Sequence, residues 1–222
     1  MVQVDLKVAQ LLASRLCHDL VGPVGAVNAG LELMEEGMED NAPALELIAK
    51  SAGEATRRLA FFRVAFGFGA GVGGEATLSQ AREMAMGFLK DGKVDLDWPE
   101  DAEAQPAGPV PPSLAKVVLN MVLIASECLP RGGQVGVNFA GLDDGLGVAV
   151  TATGEGARLG GDMVPALSEG PAPEDLSARN VHAHYAQSLA RDLGAQVEHT
   201  EGKEDEIQLA VLFPGGLRPG TG

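Results

Sequence analysis

The chain has 222 residues, 45% of them hydrophobic, which is enough for two small domains or one large one and too apolar for global disorder. Acidic residues outnumber basic ones 31 to 16, and a net charge of -15 repels nucleic-acid phosphates and anionic lipid, so neither nucleic acid nor membrane is expected as a partner. Two cysteines, Cys17 and Cys128, are too few for a disulfide framework and lack metal-site spacing, which suits a reducing cytosol.

Met1-Val2-Gln3-Val4-Asp5 has no basic start leading into an apolar run, and no stretch of about 18 uninterrupted apolar residues follows. Neither a signal peptide nor a membrane span is expected, and the location predicted is cytoplasmic. Residues 4–37 read as one long helix and residues 42–66 as a second. Gly37, Asn41 and Pro43 between them form a short turn of the kind that makes neighbouring helices antiparallel. A glycine cluster from Gly67 to Gly74 then marks a boundary, dividing the chain into residues 1–68 and 75–214. Thr77 to Lys90 looks helical, with Thr77 and Gln80 spaced as a capping box. Lys93 to Trp98 alternates as a strand, and an acidic, proline-rich loop ends at Pro111-Pro112. Ser113 to Leu129 is an apolar helix. Gln134 to Ala140 and Leu146 to Thr153 are strands joined at Asp143-Asp144-Gly145. Asp175 to Leu193 is predicted as a helix, with Ala195 to Thr200 and Glu206 to Phe213 a closing strand pair and a loose tail from Pro214. Helices and strands mixed this way predict an α+β fold.

Two helices cannot bury their own apolar faces, and a second copy would complete a dimeric four-helix bundle. At about 100° per residue, Leu16, Leu20, Val27, Leu31 and Met34 fall on one side of the first helix, the expected bundle core. His18 falls on the other, followed by Gly22, Gly25 and Ala29. A lone exposed histidine is commonplace, but the glycines change its setting. Each helical glycine costs roughly 0.5–1 kcal/mol relative to alanine, and Pro23 also removes a helix hydrogen bond. A stripe without side chains beside His18 would let another protein's backbone approach the imidazole; tight packing within the bundle, or a kink at Pro23, would explain the same residues. A neutral imidazole is nucleophilic near neutral pH and suits phosphoryl carriage. Asp19 could hold the proton of the other ring nitrogen or orient the ring, or it could be a solvated helix charge.

Cys17-His18-Asp19-Leu20-Val21-Gly22-Pro23-Val24 resembles the phosphoacceptor box of sensor histidine kinases, with a histidine, an acid beside it and a proline further along. Over nearly its full length the chain resembles the ChpT-type histidine phosphotransferases. That resemblance implies a homodimer in which each chain pairs a helical hairpin with a degenerate kinase ATPase-like domain. It also implies transfer of a phosphoryl group from the receiver domain of a hybrid histidine kinase to response regulators, through His18 and without ATP. In the helix that ends at Pro130-Arg131-Gly132-Gly133, Ile124 stands where kinases place a magnesium-holding asparagine, and Asn120 lies one turn earlier. In Val150-Thr151-Ala152-Thr153-Gly154-Glu155-Gly156, Ala152 stands where an aspartate reads adenine, and Gly154 and Gly156 suit a tight turn. Asn180-Val181-His182-Ala183 occupies the place of a glycine-rich phosphate loop. Isoleucine cannot ligate a hard cation, alanine cannot accept from adenine, and a loop bearing Val181 and His182 cannot bring bare amides close to phosphate.

No cofactor is therefore expected, and magnesium should come from the partner receiver domain. His182 and His184 lie two apart on a helix and face different ways, so no metal role is expected of them. Antiparallel return of the second helix brings Arg57, Arg58 and Arg63 toward the level of His18, where one could pair with the phosphoryl group or a receiver acid, or all could be solvated charges. The predicted catalytic residues are His18 and Asp19; the predicted docking residues are Gly22, Gly25, Ala29, Arg57 and Arg58. The competing readings are an ATP-dependent sensor kinase core and a non-catalytic dimeric scaffold.

Overall fold

The computed structural model describes residues 6–36, 40–67, 77–100, 106, 110–143, 145–168 and 173–215. Two antiparallel helices, α1 (Leu6–Glu35) and α2 (Ala42–Ala65), make the N-terminal hairpin. Of the residues read as turn or boundary, Gly37, Gly69, Gly71, Gly73, Gly74 and Asp144 lie outside the described residues, as do the start of the first helix and most of the proline-rich loop and tail. Pro23 leaves α1 unbroken and is itself buried. Gly30 is buried too, and a methyl group there would meet Ile48 Cγ1 at 2.5 Å and the Ala44 carbonyl at 3.2 Å. Gly30 is thus the glycine that lets the two helices close on one another. At Gly22 and Gly25 an added Cβ would meet nothing within 4 Å, so packing within this chain does not explain them.

The second half is an α/β layer pair. Its sheet has the order β1-β2-β3-β5-β4, built from Val94–Asp97, Gly133–Leu142, Gly145–Thr153, Glu206–Pro214 and Val197–Glu201 respectively. Strand β1 is parallel to β2 and every other pairing is antiparallel, with Val137 opposite Val150 and Val150 opposite Leu209 in the central register. Side chains alternate across the pleat, so Val135, Val137, Val148, Val150, Leu209 and Val211 all point into the core. Helix α3 (Leu78–Leu89) starts at the capping box of Thr77 and Gln80, whose two reciprocal hydrogen bonds are both formed. Helix α4 (Pro112–Glu127) is buried on every side from Leu114 to Ala125, because the sheet, α2, α3 and α6 (Val181–Asp192) surround it.

Two expectations need correction. The helix predicted to begin at Asp175 begins at Val181: α6 is Val181–Asp192, and Pro173–Asp175 is a separate 3-10 turn. Asn180 sets that start, since its side chain donates to the carbonyls of Asp162 and Asp175 and accepts from the Ser177 amide. The segment Asn180–Ala183 is accordingly the first turn of a helix and not a loop. The short helix α5 (Met163–Leu167) has no counterpart in the sequence reading, being only 5 residues long.

The hairpin and the sheet domain share one core. Phe61 and Phe62 at the end of α2 are buried against Phe88 of α3, with the Phe61 and Phe88 rings stacked 4.3 Å apart, and Phe66 meets Tyr185 of α6 edge-on. Asn120 Nδ2 of α4 donates to the Ala65 carbonyl at 3.2 Å, closing the last turn of α2 onto the second half.

Candidate functional site

Helix periodicity sends His18 away from the α1–α2 seam, and its side chain is 82% exposed. It stands between two hollows. One lies along the hairpin and is lined by Gly22, Pro23, Ala26, Ser51, Glu54 and Arg58. The other opens toward the second domain and is lined by Ile124, Glu127, Met163 and Arg179, among others. His18 Nδ1 lies 3.0 Å from Asp19 Oδ1. A carboxylate only accepts, so Nδ1 carries a hydrogen, and in the neutral ring Nε2 then keeps its lone pair.

Asp19 is far less exposed than its neighbour, at 12%. Its Oδ2 accepts from Arg15 Nε at 2.7 Å, and its backbone carbonyl accepts from Arg58 Nη1 at 3.3 Å. Arg15, also on α1, is buried between the hairpin and the second domain. Its Nη2 donates to Glu127 at the end of α4, and its Nη1 reaches the Arg179 carbonyl and His182 Nδ1, each at 3.4 Å. Burial works against the charge of Arg15, but Glu127 and then Asp19 outweigh it and hold the guanidinium above its ordinary value. Burial likewise works against the Glu127 carboxylate, and its contact with His182 together with Arg15 holds it below the usual range. Beside it, burial and the Glu127 charge push the Cys128 thiol up to about 12.

The predicted docking residues separate in space. Gly22, Gly25 and Ala29 lie exposed along α1 beyond His18. Arg58 shares a hollow with His18 and Gly22, paired with Glu54 at 2.8 Å and with its guanidinium 5.8 Å from the Phe88 ring centre. Arg57 turns elsewhere and pairs with Asp91 at 3.0 Å. Arg63 lines a different groove with Leu16, Leu59 and Phe62. The sequence reading missed Arg15, Glu127 and His182. The spacing of Arg15 and Asp19, i and i+4 on one helix, was a legible signal; nothing local pointed to the other two.

The residues that stand at the kinase-like nucleotide positions are packed out of solvent, although the hollow beside His18 reaches Ile124. Ile124, Ala152 and His182 have no solvent exposure. Asn120 Nδ2 donates to the Ala65 and Lys116 carbonyls, and its Oδ1 is buried without a hydrogen-bond partner. Gly156, at φ 73°, turns the chain after β3, and its amide donates to Asp205 Oδ1. Among the described residues no group of three or more His, Cys, Asp or Glu side chains could hold a metal ion.

Residues 78–205 match the family model described as histidine phosphotransferase C-terminal domain. The protein phosphotransferase ChpT of Brucella abortus (strain 2308) is 35% identical over 203 residues, covering 91% of this chain and 94% of that one. The chain belongs to the ChpT-type histidine phosphotransferases. A solved bacterial phosphotransferase superposes with a TM-score of 0.79 at 30% identity, covering 95% of this chain and 98% of that one. As a ChpT-type phosphotransferase it relays phosphoryl groups in two-component signalling. The expected architecture, a helical hairpin followed by an α/β domain, is the one observed. No helix among the described residues is long and apolar enough to cross a membrane.

Proposed function

We propose that His18 is the residue that carries the phosphoryl group. The observation that supports this most is the setting of its ring: an exposed imidazole whose Nδ1 lies 3.0 Å from the Asp19 carboxylate. In the first half-reaction Nε2 attacks the phosphorus of an aspartyl phosphate in a receiver domain. The N–P bond forms as the bond to the aspartyl oxygen breaks, with inversion, and the receiver keeps a free carboxylate. Nδ1 retains its hydrogen, and Asp19 balances the positive charge the ring acquires. A second receiver aspartate then attacks the phosphohistidine. Such transfer depends mainly on alignment and on charge neutralisation. Magnesium for that neutralisation comes with the receiver.

The receiver docks on α1 just after His18, over Gly22, Gly25 and Ala29, with Arg58 at the groove's far wall. Arg57 is a weaker candidate, since it pairs with Asp91 and does not line the hollow that Arg58 shares with His18. The partners are the receiver domain of a hybrid histidine kinase and response regulators. A second copy of the chain covers the outer face of the hairpin, where Val21, Val24 and Leu31 of α1 and Leu45 and Leu59 of α2 are exposed. Within the predicted stripe Leu16, Leu20, Val27 and Met34 are half-buried in the single chain, so only its Leu31 edge stands open. The functional division is residues 1–68 for dimerisation and transfer and 75–214 for support, without ATP binding. A cytoplasmic location fits the unpaired thiols of Cys17 and Cys128.

The test is to incubate the protein with a phosphorylated receiver domain and look for phosphate on His18 that is acid-labile and alkali-stable. Phosphate on another residue, or none, refutes the reading.

A further inference from the structure

Asp19 is held from behind. An exposed i,i+4 pair of Arg15 and Asp19 would need nothing more than the helix that carries both. Here the arginine is also gripped by side chains 112 and 167 residues away, Glu127 and His182. All three guanidinium nitrogens have partners: Nε faces Asp19, Nη1 faces the Arg179 carbonyl and His182, and Nη2 faces Glu127. A guanidinium can only donate, so His182 accepts at Nδ1 and carries its hydrogen on Nε2. That Nε2 is fully buried, and Glu127 Oε2 lies 3.3 Å from it without forming a well-aligned hydrogen bond. A buried charge is costly unless paired, so this cluster resists rearrangement as a unit. The fork of Arg15 fixes where the Asp19 carboxylate sits, and that carboxylate faces the His18 ring.

We propose that Arg15, Glu127 and His182 are positioning residues, through which the second domain holds Asp19 and thereby fixes the orientation and tautomer of the His18 ring. This rests on His18 as the phosphoryl carrier. None of the three touches the phosphoryl group, and no bond in them changes during transfer. Their effect is to keep Nδ1–H turned inward and Nε2 outward before the receiver arrives, which removes an alignment cost from each transfer step. The second domain then contributes to transfer without any nucleotide chemistry of its own.

The experiment uses the full-length protein with 15N-labelled histidine and a receiver domain phosphorylated by acetyl phosphate. Wild type, Glu127→Gln, Asp19→Asn and the double variant are compared by transfer kinetics over a receiver titration and by the ring-nitrogen resonances of His18. Outer partners of metal-bound histidines typically matter 10- to 100-fold, and the lower end of that range sets the scale for this histidine. Glu127→Gln should therefore lower kcat on the order of 10-fold with KM nearly unchanged. It should also shift the His18 resonances toward a mixture of tautomers. In the Asp19→Asn background the same change should cost nothing further, because the relay is already cut. Native kcat with native resonances, or a full additional loss in the double variant, overturns the proposal. So does a raised KM with native kcat and resonances, which would make Glu127 part of the docking surface. If Glu127→Gln does not fold, Arg15→Lys keeps the charge and removes the fork; it should show the same loss of kcat and the same tautomer shift, and native values for both overturn the relay. Failure of the carrier reading is separate: wild type itself would then hold no phosphate on His18.

Discussion

His18 and the glycines after it stand in the open, whereas the residues at the kinase-like nucleotide positions of the second domain are packed out of solvent. The imidazole is 82% exposed, and the glycines that follow it face open space where a Cβ would be. Ile124, Ala152 and His182 have no exposure at all. The two regions nevertheless share the Phe61–Phe88 contact and the Arg15–Glu127 pair, so they are not independent modules. Open backbone follows the histidine on the first helix, and buried side chains stand where the resemblance to histidine kinases places nucleotide contacts. The Arg15–Glu127 pair is where the second domain reaches the site on the first.

The strongest way to break this comparison is to remove the imidazole. His18→Ala should abolish phosphoryl acceptance while gel filtration and the thermal transition stay native, since so exposed a side chain contributes little packing. Acceptance at the native rate would leave the open face without its function.

Glycine replacements sharpen the contrast within one helix. Gly25→Leu should slow transfer on the order of 100-fold, as expected for a misplacement of about 1 Å at a docking surface. Its melting temperature should be unchanged or higher, because leucine is the better helix former and meets nothing within 4 Å of its Cβ. Gly30→Leu should do the reverse and lower the melting temperature, since Ile48 and the Ala44 carbonyl already occupy that space. Transfer rate and thermal stability measured on both variants decide the matter; a stability collapse in Gly25→Leu would reassign Gly25 to packing.

A smaller effect concerns acid. The folded state holds the Glu127 carboxylate below its ordinary value of 4.5, so the unfolded chain takes up that proton first as pH falls. Stability from this group is fully present above the unfolded value and is lost as pH drops through the folded one. Thermal scans between pH 7 and pH 3 should therefore show a steeper loss in wild type than in Glu127→Gln. Parallel curves would mean that the pair at the domain junction contributes no pH-dependent stability.

The smallest expected signal comes from nucleotide. Calorimetry with millimolar ATP should show no saturable heat, and no autophosphorylation should follow, because Ile124, Ala152 and the Asn180 cap offer neither metal ligand nor adenine acceptor nor free phosphate loop. Saturable binding displaced by ADP would show that the second domain keeps an open site.

Much of this was legible locally. A 3.6-residue period is enough to place His18 opposite the leucine stripe, and capping rules located Thr77 and Gln80. The strands β2, β3 and β5 declared themselves by alternation, whereas the 5-residue α5 is too short to carry a period and the start of α6 depends on which carbonyls Asn180 reaches. Helix arithmetic could bring Arg57, Arg58 and Arg63 to one level but could not give their partners; in the fold Arg57 meets Asp91, Arg58 meets Glu54 and Arg63 lines the Phe62 groove.

By itself the sequence determined the hairpin, the outward histidine and the aspartate beside it, because each follows from neighbours a few residues apart; the places of Ile124 and Ala152 came from the resemblance to histidine kinases. Only the tertiary structure decided that Gly30 packs while Gly22 and Gly25 do not, and that Arg15 joins Asp19 to Glu127 and His182. Those contacts depend on how α1 lies against α2, α4 and α6. Closing chain segments of 112 and 167 residues onto one guanidinium leaves no trace in local periodicity, since it is the packing of the intervening core that brings the ends together.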